Sequence, residues 1–263
     1  MSQLFRYLYN CYKRKIAIIY FGFITVSLIL LFNMKGISGV RISERQDIII
    51  IIFLIVLSIT GFAILLTGIS SFRKMLKNSM LRYTSISAQK YICANILFFV
   101  LLFMILLGIG IIFLYYFSLN IYKGKTDLGV QQEIHSLYDY GILQHTISIF
   151  LWGLDFVNIL VSIYLIIVIV KLFKMKSSMS KIVCVVLFIV FAAFNLEMMS
   201  IFQQVERHVF AINNIGFIDQ NGFLNTSFYS GTEITVLNLC FNCLFTIVLI
   251  VVTGRIIDKK LEV

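Results

Sequence analysis

The sequence predicts an all-α integral membrane protein with six transmembrane helices, both termini cytosolic and an N-terminal interfacial amphipathic helix. Three observations lead there: an excess of apolar surface, six apolar runs of spanning length, and basic residues that gather on alternate sides of those runs. Of the 263 residues, 60% are hydrophobic and 13% are charged, against about 25% charged in a typical soluble domain. A chain this short has no interior able to hide so much apolar surface, which leaves lipid as the solvent.

The elements follow in order. A helix rises about 1.5 Å per residue, so a hydrocarbon core of about 30 Å takes about 20 apolar residues to cross. Residues 2–14 place Leu4, Phe5, Leu8, Tyr9 and Tyr12 on one helical face, with Arg6, Lys13 and Arg14 elsewhere. That is the pattern of a helix lying along the inner interface. The first span follows at about 16–34. Its apolar run is too long for a signal peptide and no small-x-small cleavage pattern follows, so it is expected to stay in the membrane.

The second span, about 48–70, carries Gly61 and Gly68 on one face. The connection over 72–90 is longer than a turn requires. In it Phe72, Met75, Leu76, Ser79, Met80 and Tyr83 recur at helical spacing among basic residues. Spans three to six are expected at about 91–119, 146–170, 181–201 and 233–254. Continuous rather than alternating apolar runs exclude a β-barrel, and helices otherwise satisfy every backbone polar group in lipid. The longest connections, about 120–145 and 202–232, hold no cysteine and are too short to fold alone. Residues 1–263 therefore read as a single transmembrane domain.

Orientation comes from lysine and arginine. Most of the 22 such residues fall in one set of connections: Arg6, Lys13, Arg14 and Lys15; Arg73, Lys74, Lys77, Arg82 and Lys90; Lys171, Lys174, Lys176 and Lys181; Arg255, Lys259 and Lys260. The alternate set holds Lys35, Arg41, Arg45, Lys123, Lys125 and Arg207. Basic connections are retained in the cytosol, so the richer set is inside. The net charge of +10 is thus chiefly a topology signal, with some attraction to anionic lipid headgroups, and does not require nucleic acid.

The search for chemistry excludes more than it finds. Five cysteines give an odd count, and Cys240 and Cys243 lie in an apolar run without further metal ligands. The string Gly124, Lys125, Thr126 echoes a phosphate-binding loop, but the first glycine position is Leu119 and no strand precedes it. Neither a zinc-protease helix motif nor a nucleophile elbow is present. His135, His145 and His208 sit in outer connections or at a helix mouth. No catalytic residue, cofactor or metal is expected, and the chain is not expected to be an enzyme.

Polar groups within the spans are more informative. Asp155 lies in span four, where a centred aspartate costs about 2.5–3.5 kcal/mol on insertion scales. A cavity, a partner or water must offset that. Asn158 and Ser162 follow at i+3 and i+7 on the same face, and span six carries Thr235, Asn238, Asn242 and Thr246 as a second polar stripe. Asn195 and Glu197 approach the outer end of span five. These stripes line either a pathway or subunit seam, or else bond helix to helix at about 0.6 kcal/mol per contact.

This organisation resembles the type-2 ABC exporter permeases of bacteria. The most specific match is the connection between spans two and three. There the family often reads leucine-proline-isoleucine-serine, then basic residues and a tyrosine or isoleucine opening the third span. This chain reads Thr84, Ser85, Ile86, Ser87, Ala88, Gln89, Lys90 and Tyr91, with Ser85 at the proline position and Ala88 and Gln89 at the basic ones.

The resemblance implies a multi-pass permease subunit of the bacterial cytoplasmic membrane, with a separate cytosolic ATPase and a second permease subunit, identical or related. It implies that 72–90 holds a coupling helix, with Phe72, Met75, Leu76, Met80, Tyr83 and Ile86 meeting the ATPase. It also implies short re-entrant helices within 202–232, where Ile201, Phe202, Val205, Val209, Phe210 and Ile212 dip into the outer leaflet. Asp155, Asn158, Asn238 and Asn242 would then form the pathway or the dimer seam. The aliphatic and phenylalanine-rich interior suggests an amphiphilic cargo: a peptide, a lipid-like compound or a drug. The alternative is a non-transporting membrane protein, such as a bacteriocin immunity factor or a sensor partner.

Overall fold

The computed structural model describes residues 2–35, 42–77, 87–122, 142–173, 177–205, 209–211, 216–218, 225–227 and 233–260. Among these, six helices are long and apolar enough to cross a membrane. They are α1 (Ser2–Lys35), α2 (Ile42–Lys77), α3 (Ala88–Tyr122), α4 (Ile142–Leu172), α5 (Ser177–Val205) and α6 (Val236–Lys260). Each expected span coincides with one of them, because the chain has no proline to break a run and lipid offers backbone groups no other partner.

The N-terminal segment differs in one respect from the expectation. Residues 2–14 are not a separate element but the opening turns of α1, which runs unbroken for 34 residues. At 1.5 Å per residue that is about 51 Å, well beyond the thickness of a hydrocarbon core. Leu8 and Tyr12 are buried and Leu4 and Phe5 half-buried, whereas Tyr9 is 57% exposed. Tyr9 follows Leu8 directly, about 100° around the helix, and that rotation takes it off the packed face.

The helices form a bundle with α3 and α4 at its centre. α3 packs on α1, α2, α4 and α6, while α4 packs on α2, α3, α5 and α6. α5 packs chiefly on α4 and α6 and leaves Ile182, Val186, Ile189 and Val190 exposed. Several hydroxyls within the helices satisfy themselves: Ser27, Thr60, Thr67 and Thr253 each donate to the carbonyl four residues earlier. This back-bonding is the cheapest solution where no water is at hand.

Between α5 and α6 the described residues form strands. β1 (Val209–Ala211) pairs antiparallel with β4 (Glu233–Thr235), and β2 (Gly216–Ile218) pairs antiparallel with β3 (Asn225–Ser227). The register sets Val209 opposite Thr235 and Gly216 opposite Ser227. Of the residues implied for re-entrant helices in 202–232, Ile201, Phe202 and Val205 belong to the end of α5 and Val209 and Phe210 to β1, while Ile212 lies outside the described residues. Glu233–Thr235, expected to open span six, is likewise strand. Valine, isoleucine, threonine and phenylalanine at these positions favour paired strand over a helix end.

Candidate functional site

Two of the groups singled out in the sequence can be located, and a third feature emerges only in three dimensions. The first is the connection between α2 and α3. Met80, Tyr83 and Ile86 lie outside the described residues, but both flanks are in place. Phe72 is fully buried and stacks on Tyr164 of α4, ring centroids 4.0 Å apart and planes 9° apart. Met75 is 7% exposed and Leu76 half-buried. Phe72 and Met75 therefore serve the bundle interior and are not surface for a partner. The outward side of this last stretch of α2 carries Arg73, Lys74 and Lys77 instead, which also suits the negative end of the helix dipole.

Each flank of the connection is held by a side chain from elsewhere in the fold. Lys171, in the last turn of α4, donates from Nζ to the carbonyl oxygen of Leu76 at 2.7 Å. Asp258, near the end of α6, accepts the backbone N–H of Ala88 at 3.1 Å. The first supplies a donor to a helix C-terminus and the second an acceptor to a helix N-terminus, where such groups have no partner within the helix. Ser87 precedes α3, and its carbonyl accepts the N–H of Tyr91 at 3.4 Å, which places Ser87 as the cap. α6 comes very close here. A Cβ on Gly254 would stand 2.3 Å from Cγ and 3.4 Å from Cα of Gln89, so only glycine fits the observed arrangement.

These contacts bring the ends of α2, α4 and α6 and the start of α3 to one end of the bundle. The first turns of α1 reach the same region, since the Tyr12 ring lies 5.7 Å from the Lys74 Nζ. Above this level α2 and α4 are joined again: the Tyr164 hydroxyl donates to the Gly68 carbonyl at 3.1 Å. Gly68 permits the approach, because a Cβ there would lie 3.3 Å from Leu160 and Phe99.

The second group is the pair of polar stripes, which face each other. The single hydroxyl proton of Thr246 on α6 is shared between Oδ1 of Asn158 on α4 and the carbonyl of Asn242, the latter at 2.8 Å. Asn242 in turn donates from Nδ2 to Oδ1 of Asn238 at 3.2 Å. Asn158, Ser162, Asn242 and Thr246 are all buried. Asp155 is half-buried one turn before Asn158. The stripes thus form a seam within this chain between α4 and α6, two helices that pack extensively.

One buried polar site was not foreseen. Asn95 on α3 is fully buried, and among the described residues neither its amide nitrogen nor its oxygen has a hydrogen-bond partner; Ser71 on α2 is buried as well, with its hydroxyl beside that of Tyr91. Gly68 meets Phe99 across the antiparallel α2–α3 pair. Ser71 and Asn95, each about one turn from that contact, therefore lie near one level.

The third feature is a groove of about 740 Å³ walled by α2, α4 and α5, with Phe103 and Leu107 of α3 at its floor. Leu54, Leu66 and Ile69 line one wall, Phe156 and Ile163 the next, and Val185 and Phe188 the third. Arg73 is the charged residue on the lining. Its sequence signal is weak, because an apolar residue facing lipid and one facing another helix are chosen by the same chemistry.

No protein-family model, curated protein or solved structure matches the chain. The six-helix membrane architecture therefore rests on the chain's own residues.

Proposed function

We propose that the chain is the membrane-embedded permease subunit of an ATP-driven exporter in a bacterial cytoplasmic membrane. In this reading both termini and the α2–α3 connection are cytosolic, and the opening turns of α1 meet the inner interface. A separate cytosolic ATPase docks on the connection, a second permease subunit completes the transporter, and the cargo is amphiphilic.

The observation that carries this reading is the double anchorage of the connection. Lys171 holds the end of α2 to α4, and Asp258 holds the start of α3 to α6. A push on the connection therefore reaches α4 and α6 directly. Those helices are joined to each other by Asn158 and Thr246. Force applied at one short segment is distributed through four helices, as a subunit without its own engine requires.

A second reading is favoured by that same seam. Asn158, Asn242 and Thr246 are bonded and buried, which supports a structural role within this chain over a pathway lining. In the exporter the pathway then runs along the seam with the second subunit. In the non-transporting alternative, an immunity factor or sensor partner, there is none.

Extraction in mild detergent separates the two. The exporter reading expects an ATPase to co-purify, and Met80→Asp with Tyr83→Asp to abolish that association while membrane insertion persists. Asp258→Ala is expected to keep the ATPase bound but to lower cargo-stimulated hydrolysis severalfold, since the bond lost from Ala88 is charge-assisted and worth about 1.5–3 kcal/mol. Recovery of the chain without any ATPase would sink the exporter reading.

A further inference from the structure

We infer that the groove between α2, α4 and α5 is a binding site for an anionic phospholipid of the leaflet at the basic end of the bundle. The inference does not depend on export. It starts from shape: along α2 the lining runs from Leu54 to Arg73, about 28 Å at the helical rise, which is more than enough for acyl chains that reach through one leaflet of a core about 30 Å thick. The volume of about 740 Å³ falls in the range of about 300–1,000 Å³ typical of small-molecule sites. The lining is almost wholly aliphatic and aromatic, with Ser58 and Arg73 as the main polar members. An acyl chain asks for nothing more.

Charge then selects the ligand. Arg73 closes the groove at the end of α2, one turn past Ile69. On the opposite wall, Cys184, Val185 and Phe188 line the groove, and Lys181 precedes them by three, four and seven residues. Lys181 therefore stands on the same face of α5, one turn nearer the basic end, and both cations are exposed. A guanidinium on the lining and an ammonium on the groove-facing side of α5, one turn beyond its lining residues, suit a phosphate: the arginine supplies paired donors and the lysine a point charge.

A second copy of the chain fits this site less well. Inserted in the same orientation, it brings its own basic helix ends to the same level, cation against cation. An anionic headgroup neutralises both walls.

The test uses the intact chain carrying a photo-reactive phenylalanine analogue at Leu66, which lines the groove and is half exposed. The chain is reconstituted in vesicles of equal phosphatidylglycerol and phosphatidylcholine, and adducts are weighed by mass spectrometry. Phosphatidylglycerol adducts are expected to exceed phosphatidylcholine adducts about tenfold, a ratio within what two cations at a membrane surface support. Arg73→Gln with Lys181→Gln should bring the two lipids level. Lys13→Gln with Lys15→Gln, which removes the same charge from α1, should leave the enrichment intact. Equal adducts in the unaltered chain, enrichment that survives loss of Arg73 and Lys181, the same enrichment with the analogue at Phe21 on α1, or a chain-to-chain adduct would each overturn the site.

Discussion

At the scale of single residues, the polar atoms left over in an apolar interior are the most telling. Asn95 is fully buried with neither amide atom bonded among the described residues. Leaving such a group unsatisfied costs about 1–3 kcal/mol. Leucine has the same branching at Cγ and no polar atom, so Asn95→Leu is expected to stabilise the chain by about 1–3 kcal/mol. A raised unfolding temperature in detergent checks this, and a lowered one shows that Asn95 is satisfied in the membrane by water or a ligand. By contrast Asn158 and Thr246 were legible as polar stripes, because side chains at 3, 4 and 4 spacing share a helix face whatever surrounds them. Their mutual bond was not legible, since sequence fixes the face of each helix but not which faces meet. Tyr164 carried no signal at all: one tyrosine in an aliphatic run gives no hint that its hydroxyl reaches Gly68 and its ring lies on Phe72.

At the scale of elements, the six helices were readable because lipid reduces the question to length and apolarity. Their ends were not. α1 extends through residues 2–14 because nothing there breaks a helix, and the interfacial pattern of that segment is equally the pattern of a helix packed on neighbours. The family resemblance set Phe72 and Met75 against an ATPase, yet both are buried and Phe72 stacks on Tyr164 of α4. The short strands after α5 fell below the length at which alternation is visible.

The close contact between α6 and the start of α3 yields a test at this scale. Gly254→Ala sets a methyl group 2.3 Å from Gln89 Cγ, and overpacking of that kind costs about 1–3 kcal/mol. Gln89→Ala in the same chain should recover most of the loss, a non-additivity expected of residues in contact. Thermal unfolding of the two single variants and the double variant measures it. Simple additivity would mean that α6 does not press on α3 at this point.

At the scale of the whole molecule, the helix ends that carry most of the lysines and arginines gather at one end of the bundle, as the contacts of Lys171, Asp258 and Tyr12 show without any count of basic residues. In the proposed orientation that end is cytosolic, because basic connections are retained there. In a chain stripped of its five cysteines, Thr226→Cys in β3 should react with a membrane-impermeant maleimide on intact cells. Ser87→Cys at the start of α3, and Cys11 restored alone on α1, should react only after permeabilisation. The reverse pattern would place the α2–α3 connection outside, beyond reach of any cytosolic ATPase, and would end the exporter reading. The lipid groove would survive that reversal, because Arg73 and Lys181 require only an anionic headgroup beside them, in whichever leaflet their end of the bundle lies.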